Sequence, residues 1–500
     1  MITKLDLDSI RTRYEAFSQE LERAYYLEGA GLSEEIHAAE IYERYEELSS
    51  LEFVRALRAL GPGERAVQLL LESSAQSYLG SLTRHTTDEV LNTEASGAIV
   101  LAESQERMNF RSSAVALANE PNRARRRAIS AERDRFIEGS LNPLYVRGLG
   151  QTWDGVRSLE FASYRSMVEE LSGLPLGALS ATTMRFLADT EQMYADVLAW
   201  SCKSKLGISP RDLERHDLAF LARASGHDAH FPAPPMVERI LGFVGRMGLD
   251  PASGGRIRID IEPRPKKSPR AFCSTVRIPD EVYLVIRPSG GLEDYKSFLH
   301  ELGHALHFGY TDPGLAWEFR RLGDNSVTET YAMLFDHLLH DGLWLRKVLG
   351  IGEASRLLHH LAFIELMMLR RYSAKLAYEL ELHASPLLES RSELYSDLLT
   401  RATGARTTGA TYLSDVDPFF YSARYLRAWM LQAVLAEALR DRFDEDWFLN
   451  PRAGAFLKEL WSKGQAPSAE ALAAELGEPD LTMDRLRRTL ERTFSSSPND

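Results

Sequence analysis

The first two fifths of the chain have apolar residues at helical spacing. From residue 8 to about residue 205 these positions recur three or four residues apart, as at Ile41, Tyr45 and Leu48. This period of 3.6 residues indicates amphipathic helices. Breaks that contain Pro, Gly or Asn separate the helical runs. The runs have no fixed repeat length, which argues against a solenoid. We therefore predict an all-helical amino-terminal domain over residues 1–205.

The period changes after residue 250. Residues 256–261 alternate between polar and apolar side chains, and β-rich runs follow at residues 271–278 and 281–286. Pro279 and Asp280 lie between the last two runs and supply a turn. The two runs therefore predict a β-hairpin, and with it a small antiparallel sheet.

The chain returns to helical periodicity from residue 292 to residue 494. A polar stretch, residues 495–500, ends the sequence, and we predict that it is a disordered tail. With 500 residues the chain exceeds one ordinary domain. We predict a second domain over residues 206–494 and a fold class that is mainly α.

Composition and charge narrow the class of protein. The chain is 44% hydrophobic and 26% charged, and its net charge of −13 argues against a nucleic-acid or anionic-membrane partner. Two basic runs, residues 123–127 and 264–270, are interpreted as a solvated helix face and a solvated loop. There is no long apolar run and no signal-peptide pattern, and Cys202 and Cys273 are too few for a disulfide framework. We expect a cytoplasmic protein with both thiols in its core.

The most informative motif is the HExxH word that starts at His300. Residues four apart share one face of a helix, so His300 and His304 can bind one Zn²⁺ from the same side. Glu301 then lies beside the metal, where it can take a proton from the water that the metal activates. A core helix with two satisfied histidines is the structural alternative. His307 and Tyr310 stand where a metzincin has Gly and His, which excludes that class.

A catalytic zinc site needs a third protein ligand and one open position. Glu318 and Asp324 are candidates, but Glu329 is the better one. It lies one turn into a predicted helix over residues 325–335, which a loop can bring antiparallel to the first helix. Asp336, seven residues further on the same face, is placed to accept the spare N–H of a ligand histidine. The alternative for Glu329 is an exposed glutamate at a helix start.

Two words together resemble the thimet oligopeptidase and oligoendopeptidase F family of zinc peptidases, which is of the gluzincin type. They are HELGHALH at residues 300–307 and ETYAMLFD at residues 329–336. The hairpin upstream, DPFFYSARY at residues 417–425 and the region over residues 460–477 are also similar in order and spacing. The likeness covers roughly residues 200–490, and the amino-terminal part only by its helical character.

The resemblance implies a bilobed helical peptidase with one zinc ion deep in a central cleft, which short oligopeptides enter. It also implies that late tyrosines donate to the oxyanion of the tetrahedral intermediate, and here Tyr421 and Tyr425 match. The chain departs from the family because residues 412–418 contain no histidine, and one register sets Phe420 and Ala423 against family tyrosines. Aromatic core packing is the alternative for the two tyrosines.

The expected function is hydrolysis of peptide bonds in short oligopeptides, with His300, His304 and Glu329 holding zinc and Glu301 as general base. His307 lies one turn beyond His304 on the ligand face, where it contacts the substrate or the residues that orient the metal ligands; the alternative is a buried structural histidine. An extended substrate can pair with the strand over residues 272–278 or with that over 283–286.

Two other functions fit the same residues. A helical HExxH zinc carboxypeptidase would need a basic group for the terminal carboxylate, for which residues 266–270 are the local candidate. A non-catalytic zinc- or peptide-binding protein is the second, although a structural site has no use for Glu301 between its ligands. No oligomeric state is predicted.

Overall fold

A computed structural model describes residues 6–34, 37–61, 64–251 and 253–496. The protein is 70% helix and 5% strand, so the predicted mainly helical fold with a small sheet is confirmed. None of the helices among the described residues is long and apolar enough to cross a membrane.

The α-helices are numbered in chain order and alternate with short loops and single helical turns. They are α1 (Leu7–Gly29), α2 (Ala38–Arg44), α3 (Leu51–Ala59), α4 (Arg65–Ser96), α5 (Phe110–Asn119), α6 (Arg123–Phe136), α7 (Asn142–Ser158), α8 (Tyr164–Ser172), α9 (Leu176–Asp189), α10 (Glu191–Ser201), α11 (Arg215–Ala222), α12 (Met236–Arg246), α13 (Leu292–Tyr310), α14 (Trp317–Arg321), α15 (Asn325–Asp336), α16 (Gly342–Trp344), α17 (Ser355–Leu382), α18 (Arg391–Thr403), α19 (Tyr421–Phe443), α20 (Pro451–Ser462), α21 (Ala469–Glu475) and α22 (Asp484–Ser495). The strands are β1 (Ala98–Val100), β2 (Arg107–Asn109), β3 (Ile257–Asp260), β4 (Phe272–Arg277) and β5 (Glu281–Val285).

Two compact units share the chain. Of the described residues, those within 6–74, 226–359 and 427–496 form the first unit, and those within 75–225 and 360–426 form the second. The domain boundary predicted from the sequence, at residue 205, lies inside the second unit, which continues to residue 225. The division into domains over residues 1–205 and 206–494 stays a prediction.

Each unit has its own apolar core. In the first unit Tyr14 stacks on Trp317 with 5.5 Å between ring centroids, and Leu57 and Leu70 belong to the same cluster. In the second unit a core cluster joins α17, α18 and the segment after them; its members include Tyr378, Leu382, Tyr395, Leu399 and Leu413. Burial of these large side chains is the main source of stability in each unit.

The sheet of the first unit has the strand order β3-β5-β4. The predicted hairpin is present, because β4 and β5 are antiparallel with Cys273 opposite Leu284. However, β3 is parallel to β5, with Ile257 opposite Val282. The prediction of an antiparallel sheet is therefore wrong: β4 returns the chain, so that β5 runs in the direction of β3 and lies between the other two strands.

Two further predictions for the amino-terminal part are corrected. Strands β1 and β2 pair antiparallel, so the part is not all-helical; three-residue strands are too short for alternation to appear in the sequence. The basic run on α6 is solvated only in part, because Arg127 is exposed and Arg126 is buried. Arg126 is 1% exposed, and its guanidinium lies 2.8 Å from the Asp217 carboxylate, which satisfies the buried charge.

The carboxyl-terminal helix α22 extends to Ser495, one residue into the predicted tail. Residues 497–500, which make up most of that tail, lie outside the described residues. Both cysteines are free thiols. Cys202 is buried, as expected for a core residue, and Cys273 is half-buried on β4.

Candidate metal centre

The HExxH word lies within helix α13, and its two histidines, His300 and His304, are half-buried. The apolar side chains of the helix, including Phe298, Leu302 and Ala305, are fully buried, which explains why this stretch is helical and how it is fixed in the first unit. Glu293 and Asp294 lie in its first turn, where negative charge is favourable next to the helix amino terminus.

A glycine within the word sets the distance to the next helix. A Cβ atom on Gly303 would lie 2.5 Å from the carbonyl oxygen of Tyr331 and 2.6 Å from Cα of Ala332. No larger residue fits at that distance, so α13 and α15 pack with their backbones almost in contact. This close approach brings Glu329 beside the two histidines.

Three side chains converge on one point of the first unit. The Oε2 atom of Glu329 lies 3.5 Å from Nε2 of His300 and 3.8 Å from Nε2 of His304. In a tetrahedral zinc site with bonds of about 2.1 Å, ligand atoms lie about 3.4 Å apart. Two imidazole nitrogens and a carboxylate oxygen at these distances fit a zinc ion by both spacing and donor chemistry. Among the described residues this is the one group of three or more His, Cys, Asp or Glu that can hold a metal ion.

Both imidazoles are oriented by a partner on their other nitrogen. Nδ1 of His300 donates to Oδ2 of Asp336 over 2.8 Å, and Nδ1 of His304 lies 2.8 Å from Oγ1 of Thr328. These contacts turn the Nε2 atoms of both rings toward Oε2 of Glu329, and partners of this kind orient ligand histidines in zinc sites. The structure thus brings Asp336 to the histidine contact for which the sequence nominated it.

The charges around the histidines follow from these contacts. Burial alone would lower the pKa of His300, but hydrogen bonds to Asp336 and Glu329 raise it to about 10. Burial lowers the pKa of His304 to about 4. Burial would raise the pKa of Asp336, but His337 and His300 hold it well below its usual range. Asp336 therefore stays ionised and is a strong acceptor for the imidazole N–H.

Glu301 lies between the two ligand histidines in sequence and contacts the sheet. Its Oε2 accepts the backbone N–H of Cys273 on β4 over 2.9 Å. Burial raises the pKa of Glu301 to about 7, although the neighbouring His300 opposes the shift. A carboxyl group that titrates near neutral pH has the balance of basicity and ionisation that a general base needs.

His307 does not share the hydrogen bonds of the ligand group. It is fully buried, its Nε2 donates to the carbonyl of Gly464 over 3.1 Å, and its ring packs on Tyr331. Burial lowers the pKa of this imidazole to about 3, so it is neutral. These contacts correspond to the structural alternative for His307.

Tyr421 and Tyr425 belong to the second unit, in the first two turns of α19. Their rings contact each other edge to face with 4.9 Å between centroids, and Tyr425 also contacts Tyr372. Both side chains are half-buried. Their part in an oxyanion site stays a prediction.

Sequence reasoning missed two residues that shape the centre. Thr328 directly precedes the ligand Glu329 on the buried helix α15. A polar residue at this position of a buried helix was the signal that could have identified it as a histidine partner. Arg427 is 3% exposed and donates to Asp324 and Ser326 over 2.9 Å, which fixes the start of α15. It lies about a hundred residues from its partners, so no local pattern reveals the contact.

The basic loop before β4 is engaged within the protein. Lys267 is 2% exposed and donates to Oδ1 of Asp260 over 2.9 Å and to two backbone carbonyls, and Lys266 pairs with Glu34. The loop is therefore solvated only in part. Its buried charge is already neutralised, which weakens it as a site for a terminal carboxylate.

No family model matches the chain, and a search of curated proteins finds no match either. The case for a metal centre therefore rests on the arrangement of His300, His304 and Glu329 and on the side chains that orient them.

Proposed function

We propose that the protein is a zinc-dependent peptidase that hydrolyses peptide bonds of short oligopeptides. One observation carries the proposal: Oε2 of Glu329 lies 3.5 Å and 3.8 Å from the Nε2 atoms of His300 and His304, and both imidazoles are oriented by a partner on Nδ1. Glu301, a carboxyl group able to act as a base, lies between the two histidines in sequence. A structural zinc site would use four protein ligands and needs no base beside them. The bilobed peptidase fold and the deep cleft implied by the family resemblance are part of the same proposal.

His300, His304 and Glu329 would hold the ion. When bound, zinc acts as a Lewis acid on the peptide carbonyl and lowers the pKa of water to about 7. Glu301 takes the proton of the attacking water and delivers it to the leaving amine. Tyr421 and Tyr425 are proposed as donors to the oxyanion, because they match the family tyrosines.

The sheet suggests how an extended substrate is oriented. Strand β5 lies between β3 and β4, so it has no free edge, and the predicted pairing of substrate with residues 283–286 is wrong. Strand β4 is one of the two edge strands of this sheet, and the backbone N–H of its Cys273 donates to Glu301. A peptide added along β4 would therefore run beside the general base.

The test compares zinc-loaded wild type with Glu301→Gln on an internally quenched peptide. We expect the variant to retain zinc and to lose about 100-fold or more in kcat, since general-base catalysis supplies about that factor. Glu293→Gln, an exposed change on the same helix, is the matched control and should leave the rate unchanged. Equal rates for wild type and Glu301→Gln would refute the mechanism.

Mass spectrometry of the products identifies the mode of cleavage. Internal cuts support an oligopeptidase, whereas single residues released from the carboxyl terminus would assign the site to a carboxypeptidase.

A further inference from the structure

A second site lies wholly within the second unit. A pocket of 290 Å³ is lined by residues of α4, α7, α8 and the end of α17, and by residues 413–418. Its walls are mainly apolar and include Val90, Leu149 and Leu382, whereas Ser414 and Pro418 are exposed at its mouth. One water molecule takes about 30 Å³ in the liquid, so this volume equals that of about ten waters and suits a molecule of about ten non-hydrogen atoms. It is close to the lower limit for small-molecule sites.

One buried polar side chain faces this pocket with an unused donor. His383 is 7% exposed, and its Nδ1 accepts the indole N–H of Trp153 over 3.3 Å. The proton of the neutral ring therefore lies on Nε2. Among the described residues Nε2 has no hydrogen-bond partner.

The ring of His383 is also held in place and neutral. It stacks on Tyr164 with 4.2 Å between centroids and meets Phe420 edge to face. Burial lowers the pKa of this imidazole to about 3, so the ring donates one N–H and carries no charge. A fixed donor in an apolar wall is the usual arrangement by which such sites select one polar group of a ligand.

The charged residue in the pocket wall is already neutralised. Oδ1 of Asp417 lies 2.8 Å from Nζ of Lys375, whereas its buried Oδ2 has no hydrogen-bond partner among the described residues and can accept one from a ligand hydroxyl. Because Lys375 compensates the charge of Asp417, a charged ligand would lose its hydration without finding an uncompensated opposite charge.

We propose that this pocket binds a small, neutral, mainly apolar molecule of about ten non-hydrogen atoms, whose carbonyl or hydroxyl oxygen accepts the Nε2–H of His383. The pocket shares no lining residue with the metal centre, and the proposal does not depend on the proposed peptidase activity.

Two probes of the same shape test the polar contact. Acetophenone and cumene have equal numbers of non-hydrogen atoms, but only acetophenone has an acceptor oxygen. We expect calorimetric titration of the full chain to give a Kd for acetophenone about fivefold lower than for cumene, as one neutral hydrogen bond provides. Equal affinities, or no binding of either probe up to its solubility limit, would overturn the proposal.

A pair of glycines in α7 provides a matched test of the location. Gly148 lines the pocket, and a Cβ there meets only Cγ2 of Thr86 at 3.5 Å, so Gly148→Leu can fold with its side chain in the pocket. Gly150 is not in the lining, and a Cβ there meets nothing within 4 Å. We expect Gly148→Leu, whose side chain occupies part of the pocket, to weaken acetophenone binding at least about tenfold, and Gly150→Leu to bind like wild type.

His383→Phe tests the donor itself. This variant should bind acetophenone and cumene equally, while its melting temperature reports whether it is folded. If it does not fold, the Gly148 and Gly150 pair decides the location. Wild-type affinity in Gly148→Leu, or a retained preference for acetophenone in folded His383→Phe, contradicts the proposal.

Discussion

Replacing Asp336 by Asn tests whether the partners of the ligand histidines determine metal affinity. In the wild type, Oδ2 of Asp336 lies 2.8 Å from Nδ1 of His300. The variant keeps the size of the side chain and an acceptor oxygen for this nitrogen, but it removes the negative charge. Hydrogen bonds to charged acceptors are about twice as strong as neutral ones, and loss of such a partner weakens zinc binding about 10–100-fold, or about 1.4–2.7 kcal/mol. Because Asn still accepts a bond, we expect a loss near tenfold.

Thr328→Val provides the comparison on the other histidine. Its contact with His304 is neutral, so we expect a smaller loss of about two- to fivefold. His337→Gln removes the second contact of Asp336, at 2.6 Å, and should change zinc affinity less than either variant. Competition with a chromophoric chelator at fixed pH and salt measures all three constants. Wild-type affinity in Asp336→Asn, or a greater loss in Thr328→Val, would refute the reasoning.

Three further predictions concern stability and are measured by chemical or thermal unfolding. Gly303→Ala places a methyl group against the backbone of α15 and should destabilise the protein by about 3 kcal/mol. The control is Gly80→Ala, whose new methyl group has nothing within 4 Å and which should be neutral or stabilise helix α4 by up to about 1 kcal/mol. Equal effects of the two substitutions would contradict the close approach of α13 and α15. Arg427→Ala leaves the carboxylate of Asp324 buried without its partner and should cost about 3–5 kcal/mol; a loss below about 1 kcal/mol would show that the pair is not buried in solution. Burial raises the pKa of Glu379 to about 8. Between about pH 5 and pH 8 the folded state therefore binds a proton that the unfolded state has released, so the stability of the wild type should fall as the pH rises through this range. Glu379→Gln should flatten that decline, and an unchanged pH profile would contradict the assignment.

The metal centre was largely accessible from sequence because its main contacts are local. The spacing of His300 and His304 depends only on helical period, and Asp336 follows Glu329 at two helical turns. The meeting of α13 and α15 depends on Gly303, whose need for close backbone contact is a tertiary property that the motif alone does not state.

The remaining features depend on contacts between distant parts of the chain. The parallel pairing of β3 with β5 is set by the path of the intervening strand, not by residue alternation. Arg126 was misread because a basic run looks solvated until its partner Asp217 is known. His383 had no local signal at all, since its ring is fixed by Trp153 and Tyr164, both more than two hundred residues earlier.

Zinc-edge anomalous diffraction from crystals of the zinc-loaded protein tests the metal centre most directly. We predict one peak at about 2.0–2.2 Å from Nε2 of His300, Nε2 of His304 and a carboxylate oxygen of Glu329, with no fourth protein ligand. A zinc peak elsewhere with none among these three side chains, or a fourth protein side chain closing the coordination, would contradict a catalytic zinc site.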